Sequence, residues 1–218
     1  MGKLLKNNGL TIVLLVLFAC SLTGQWLTGW HVTNNDLLEH GRPTMTLARY
    51  SVSPYFLSAV FENWESEFLQ MATYVLLTAV LVQRGSAESK DPDDGPRNEE
   101  VMPKDHRASA PYLHRAGRAI YSHSLFFALA ALFVLSFSVH WTQSARVAAQ
   151  AALEHGEIPP TVISYLGDAE LWFESFQNWQ SEFLSTAVLV VLSIFLRQRG
   201  SPESKPVGAS NAQTGSEA

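Results

Sequence analysis

The chain has 218 residues, of which 47% are hydrophobic and only 16% are charged. The charged residues avoid four stretches of the chain, which is unusual for a soluble domain. The single cysteine excludes an intramolecular disulfide, and nothing in the net charge of −5 points to nucleic acid. We therefore look to the lipid bilayer, not to nucleic acid, as the first partner.

The four apolar stretches predict transmembrane helices. Residues 7–30 contain no charged residue or histidine, and residues 119–139 contain only His123. Each is long enough to cross a hydrocarbon core of about 30 Å, which takes roughly 20 helical residues. Residues 68–82 and 183–196 are shorter and need the preceding one or two turns to complete a span. The expected fold class is an all-α, polytopic membrane protein with four transmembrane helices and short extracytoplasmic helices.

The basic residues predict the orientation. With both termini inside and four crossings, the inner segments hold 12 of the 15 Lys and Arg residues, and the outer segments hold Arg42, Arg49 and Arg146. Because Lys and Arg are enriched in cytoplasmic segments, we expect the N- and C-termini in the cytoplasm.

A signal peptide is the competing interpretation of the N-terminus. Lys3 and Lys6 precede an apolar run, and residues 17–20 faintly resemble a lipoprotein cleavage site. The run continues beyond Cys20, however, and the corresponding position near Leu135 has no cysteine. We prefer a first transmembrane helix in which Cys20 is a small apolar residue.

The sequence repeats itself at a spacing of 115 residues. FENWESEFL at 61–69 returns as FQNWQSEFL at 176–184, and the segments 8–90 and 123–205 share 31 identical residues in 83 positions. Each copy contains two crossings, so both copies enter the membrane in the same direction. We predict a pseudo-two-fold axis along the membrane normal that relates two parallel two-helix repeats.

The first helix of each copy should continue beyond its interfacial tryptophan, Trp26 or Trp141, into a short polar helix. Gly41 and Gly156 should close these helices in the left-handed conformation. After the N-caps Ser53 and Asp168, the second helix of each copy is predicted to run to the Arg-Gly pairs at 84–85 and 199–200.

The repeated string places one polar face and one aromatic face on each second helix. In the first copy the aromatic face is Phe61, Trp64 and Phe68, and the acids Glu62 and Glu65 become glutamine in the second copy. The residues that keep their character in both copies form a predicted polar cluster at the outer membrane face: Asn63, Trp64, Ser66, Glu67, Asn178, Trp179, Ser181 and Glu182.

Two interpretations of Glu67 and Glu182 remain open. The carboxylates could approach each other across the axis, where one would have a raised pKa or the pair would bind a cation. Alternatively, each accepts hydrogen bonds from an indole, a helix N-terminus or Arg49 and fixes its helix at the interface. His40 and His155 also recur, but no helical His-x-x-x-His or Glu-x-x-His pair makes a metal-binding face. We expect neither a metal nor another cofactor.

The domain boundaries follow from the repeat. We expect a first membrane repeat at 1–90, a cytosolic linker at 91–118, a second repeat at 119–205 and a disordered tail at 206–218. The inner ends of the two repeats carry nearly the same sequence, R-G-S-x-E-S-K, which is typical of a helix stop beside anionic headgroups.

These motifs carry a resemblance to a known family. N-W-x-S-E-F-L opening a helix that ends in R-G-S-x-E-S-K, after a helix with G-Q-x-L-T-G-W, resembles uncharacterised bacterial inner-membrane proteins grouped as a domain of unknown function. The second copy departs from G-Q-x-L-T-G-W at residues 139–145. The resemblance implies a bacterial inner-membrane location and assigns no activity or functional residue.

No catalytic motif such as G-x-S-x-G or a P-loop is present, so we expect no enzyme. The expected function is a structural or accessory membrane module that engages itself or another membrane protein. The alternative is an ion- or proton-linked transport or sensing module that uses Glu67 and Glu182.

Overall fold

The structure is a computed structural model that describes residues 3–91, 93 and 120–215. The described residues form α-helices, turns and one 3₁₀ turn, without a β-strand among them, so the all-α prediction is confirmed. The helices are α1 Lys3–Glu39, α2 Leu47–Tyr50, α3 Pro54–Val80, α4 Ser124–Glu154 and α5 Ala169–Phe195, with the 3₁₀ turn Ser164–Gly167 before α5.

Two helices, α1 and α4, are long and apolar enough to cross a membrane. None of the most apolar segment of α1 is buried, and only 17% of that of α4 is. The shorter predicted spans lie in α3 and α5, which have 27 residues each and are therefore about 40 Å long. Acidic side chains in the first halves of α3 and α5 set them apart from the two apolar helices.

The long helices correspond at a spacing of 115 residues, except at the first residues of α1 and α4. Helix α1 ends at Glu39 and α4 ends at Glu154, while α3 and α5 begin at Pro54 and Ala169. After α1, the left-handed Gly41 (φ 68°) donates its N–H to Leu38, and the next amide bonds the Leu37 carbonyl. The same pair of bonds closes α4 at Gly156 (φ 71°), so the predicted glycine closure is confirmed at both ends.

The C-terminal ends of α3 and α5 differ from the prediction. Both helices stop four residues before the expected arginine, at Val80 and Phe195. The reason is a serine that folds back from the following loop: the hydroxyl of Ser89 accepts the amide of Gln83, and that of Ser204 accepts the amide of Gln198. A side-chain oxygen thus replaces the helical carbonyl as the acceptor.

The chain forms two compact units, of which the first comprises residues 1–61 and 138–171. In this unit the segment after α1 folds back along the helix. Trp26 donates its indole N–H to Ser51, and Trp30 donates to the Met45 carbonyl, which also accepts from Asn34. The buried Tyr50 lies so close to α1 that any side chain at Gly29 would collide with its hydroxyl.

The second copy builds a similar arrangement in the same unit. Tyr165, the equivalent of Tyr50, packs with Ala145 and Leu171 in a small buried core. Trp141 packs against this core and donates its indole N–H to the Val162 carbonyl at 2.8 Å. Both predicted interfacial tryptophans therefore donate their indole N–H to the segment that follows their own helix.

The second unit comprises residues 62–137 and 172–218. In its described tail, residues 206–215 form turns that hydrogen-bond to the loop after α3. The remainder of this unit contains the sequence-predicted polar cluster.

Candidate functional site

Both copies of the repeated string lie in the middle of long helices, α3 and α5. In α3, the buried Ser66 donates its hydroxyl to the carbonyl of Asn63 at 2.8 Å, whereas Asn63 and Glu67 themselves are exposed. In α5, Ser181 donates to the carbonyl of Asn178 at the same distance. The two serines thus make a local bond within their own helix, and this bond is one physical reason for their recurrence.

Hydrogen bonds between described side chains join α3 to α5. Asn178 donates to the carboxylate of Glu62 at 2.6 Å, and Ser175 donates to the carboxylate of Glu65 at 2.8 Å. Further along, Gln70 donates to the hydroxyl of Thr186 at 2.5 Å. The first and last of these pairs, 62 with 178 and 70 with 186, have the same offset of 116 residues, so α3 and α5 run parallel with nearly equivalent turns side by side.

The most buried of these groups is one that the repeat did not indicate. Glu65 and Ser175 are both 0% exposed, while Glu67 is exposed and Glu182 is half-buried. Loss of a hydrogen bond between buried polar groups costs more than loss of an exposed one, because water does not replace the missing partner. Glu65 is therefore a principal polar contact between the helices.

The negative charge of Glu67 acts on the carboxyl of Glu182, which places the two equivalent acids within electrostatic range. Trp64 is half-buried on the same stretch of α3.

An aromatic cluster covers one side of α5. Trp179 packs edge-on against Phe176, with ring centres 5.3 Å apart, and against Phe133 of α4 at 6.2 Å. Trp172 packs against Phe137 of α4 at 6.0 Å. The indole N–H of Trp179 is buried and has no hydrogen-bond acceptor in the described part of the chain. In the second copy, Trp179 of the aromatic face is therefore packed against α4, while Phe176 keeps 57% of its surface exposed.

The two recurring histidines belong to the ends of α1 and α4. Each imidazole Nδ1 lies 2.9 Å from the carbonyl four residues earlier, in Asp36 for His40 and in Ala151 for His155. The backbone bond to Asp36, and then its carboxylate charge, raise the pKa of His40. Both side chains are exposed and interact with their own helix end.

Comparison with protein families shows to which family the chain belongs. A family model matches residues 1–216, which is nearly the whole chain. The chain belongs to the family described as a domain of unknown function, DUF6766. No curated protein and no solved structure matches it. The resemblance to a domain of unknown function is thereby confirmed, and the DUF6766 chain must be interpreted from its own contacts.

The DUF6766 chain has a second acidic group beyond the end of α3. Tyr74 donates its hydroxyl to Glu88 Oε2 at 3.1 Å, and Oε1 of Glu88 is buried without a hydrogen-bond partner in the described residues. Burial raises the pKa of Glu88, and the charge of Glu203 adds to this, while the bond from Tyr74 opposes it. Glu88 and Glu203 are equivalent positions of the repeat, so the R-G-S-x-E-S-K loops come close at their acids.

Proposed function

We propose that this protein is an integral membrane protein with four crossings and serves as a structural or accessory module that engages itself or another membrane protein. The distribution of side chains is the observation that supports this best. Among the described residues, 15 polar or charged side chains are buried, against 9 hydrophobic ones. A water-soluble protein buries mostly hydrophobic side chains, because burial of apolar area is the main driving force of its folding.

Apolar side chains cover the outside of the helices instead. Every residue from Val13 to Phe18 on α1 is at least 45% exposed, and Phe195 on α5 is 61% exposed. Each Å² of such surface costs about 25 cal/mol in water, and a lipid environment removes that cost. The hydrogen bonds between α3 and α5 fit the same environment, since polar side chains between transmembrane helices pair with each other.

In this proposal α1, α3, α4 and α5 each cross the inner membrane of a bacterial cell. The excess of basic residues in the inner segments favours cytoplasmic termini. With α3 and α5 about 40 Å long, their first turns would stand in the outer headgroup region.

The proposed partner surface is the exposed edge of the aromatic cluster. Phe173 and Phe176 on α5 are 66% and 57% exposed, beside the packed indoles of Trp172 and Trp179. Large aromatic side chains with a rigid backing contribute most of the energy in many interfaces. We therefore assign the contact with a membrane partner to this edge.

The test compares alanine substitutions of phenylalanines at the two ends of α5. A Phe173→Ala, Phe176→Ala double variant should lose the associated mass of a complex isolated in mild detergent and measured by light scattering. Phe195→Ala removes a side chain of similar exposure from the other end of α5 and should leave the complex intact. A wild-type protein that is monomeric and without partners in every mild detergent would contradict the accessory function.

A transport or sensing role is the second candidate, and the electrostatic interaction between Glu67 and Glu182 favours it. In this alternative, Glu67→Gln with Glu182→Gln abolishes a pH- or ion-dependent flux in reconstituted vesicles while insertion is unchanged. The matched control is Glu203→Gln, which changes an exposed acid in the R-G-S-x-E-S-K loop after α5. An identical flux in the double variant and the wild type would exclude this role for the pair.

A further inference from the structure

The two R-G-S-x-E-S-K segments fold into nearly identical loops, the first loop at 83–90 and the second loop at 198–205. In each, the serine after the glycine donates its amide to the glutamine carbonyl at 3.2 Å. Gly85 and Gly200 share a left-handed conformation, with φ of 84° and 83°. The loops therefore present the same backbone groups to their surroundings.

The first loop is covered by the tail of the chain. The amide of Gly85 donates to the hydroxyl of Thr214 at 2.9 Å, and the amide of Gly215 donates to the carbonyl of Ser86 at 2.9 Å. The carbonyl of Asn211 lies against Gly85 so closely that a methyl group there would be only 2.6 Å from it. Ser86 is consequently 0% exposed.

Two basic side chains of the second copy, Lys205 and Arg197, hydrogen-bond to the tail. The equivalent residues of the first copy, Lys90 and Val82, make no such bond among the described residues. The ammonium of Lys205, 1% exposed, lies near four carbonyls, those of Gly85 at 2.5 Å and of three tail residues at 3.0 to 3.2 Å. Arg197, where the first copy has Val82, donates to carbonyls at the end of α5 and to the tail. By contrast Lys90 is exposed and donates to the carbonyl of Ala79.

The second loop is open where the first is covered. Gly200 is exposed, and a methyl group added to it would meet no atom within 4 Å. A recess of about 640 Å³ lies at this loop, lined by residues 198–202 and 204–207. Within the described part of the chain, the surface that receives the tail in the first loop is thus uncovered in the second.

We propose that the second loop is a docking site for a short segment of a partner protein, a segment without charge that carries a hydroxyl residue followed by glycine. The amide of Gly200 and the carbonyl of Ser201 are the equivalents of the groups that bind Thr214 and Gly215 in the first loop. Residues 206–215, which cover the first loop, contain no charged side chain. The chemistry of the occupant is therefore taken from the segment already seated on the same loop.

A second copy of this chain does not explain the vacancy, because a tail lent to another molecule would uncover its own first loop. The inference rests on the proposed accessory function. It specifies the chemistry of the partner segment and the loop to which that segment binds. The aromatic edge on α5 belongs to a separate test, so either proposal can fail without the other.

The experiment uses a peptide with the sequence of residues 206–215 and a photoreactive group at the position of Asn211. The peptide is irradiated with the full-length protein in detergent, and the cross-linked residues are mapped by mass spectrometry. A peptide concentration on the order of 1 mM is used, because a few hydrogen bonds of about 1 kcal/mol each give only weak affinity.

We expect cross-links to residues 198–207. A competing peptide with alanine at the position of Thr214 should displace the probe about fivefold less well, the equivalent of one lost hydrogen bond. Cross-links confined to the first loop would mean that the probe only exchanges with the tail, and would overturn the proposal. Absence of a cross-link that an excess of the unmodified peptide can suppress would overturn it as well.

Discussion

Substitution of Gly85 by alanine should release the tail from the first loop. Gly85 and Gly200 both have φ near +84°, so alanine costs about 1 kcal/mol of backbone strain at either position. Only at Gly85 does the added methyl group meet the Asn211 carbonyl, at 2.6 Å. Gly200→Ala is therefore a matched control that carries the strain without the collision.

The size of the effect follows from the bonds that a displaced tail gives up. Movement of Asn211 away from the loop breaks the bond from Gly85 to Thr214 and the bond from Gly215 to the loop. At about 1 kcal/mol each, the two bonds stabilise the closed tail by about 2 kcal/mol. The open population should thus rise about thirtyfold in Gly85→Ala relative to Gly200→Ala.

Amide hydrogen exchange measured by mass spectrometry reports this population. The amides of residues 206–215 should exchange about thirtyfold faster in Gly85→Ala than in Gly200→Ala, since local opening controls their exchange. Equal exchange in the two variants would refute the reasoning, because it would mean that the tail does not lie on Gly85 in solution.

Three further outcomes are expected. Gly29→Val should lower the unfolding free energy by about 2 kcal/mol relative to Gly24→Val, because only Gly29 faces the tyrosine hydroxyl, and equal Tm values in detergent would contradict this packing. Ser175→Ala should cost about 2 kcal/mol by removal of a donor from the buried Glu65, which chemical unfolding in detergent measures. Burial raises the pKa of Glu88 above its ordinary 4.5, so the unfolding free energy should decrease as the pH rises from 4.5 through the raised pKa. In Glu88→Gln this decrease should be absent when Tm is measured as a function of pH.

The helix limits were predictable where the signal is local. Ser53 and Asp168 accept amides two or three residues later, and Gly41 and Gly156 close their helices, as their side chains or lack of one predict. The ends of α3 and α5 were not predictable in this way. They depend on serine hydroxyls six residues beyond the glutamine amides they accept, and sequence spacing does not say which side chain folds back.

The repeat indicated local bonds better than contacts between the helices. Ser66 and Ser181 recur and each bonds its own helix, which identical sequence can do in both copies. A contact between α3 and α5 needs a donor opposite an acceptor, and identical carboxylates would repel. Each bonded pair, among them Glu65 with Ser175, therefore has at least one partner at a position where the two copies differ. A search for such complementary differences would have indicated Glu65.

The contacts of the tail were not predictable for a related reason. Residues 206–215 have the small, polar composition of a disordered segment. Their contacts depend on Arg197 and Lys205, which supply donors to the tail carbonyls from outside the segment. Composition describes the segment alone, whereas the contacts belong to the folded loop.

The central claim, that the chain crosses the membrane four times, is tested most directly by labelling of single cysteines in cells. In a Cys20→Ser background, cysteine replaces one of four exposed residues: Thr44, Lys90, Glu157 or Ala212. With a membrane-impermeant maleimide on spheroplasts, we predict labelling at 44 and 157, and at 90 and 212 only after permeabilisation. Labelling of 44 and 90 from the same side would show that α3 does not cross the membrane and would contradict the account.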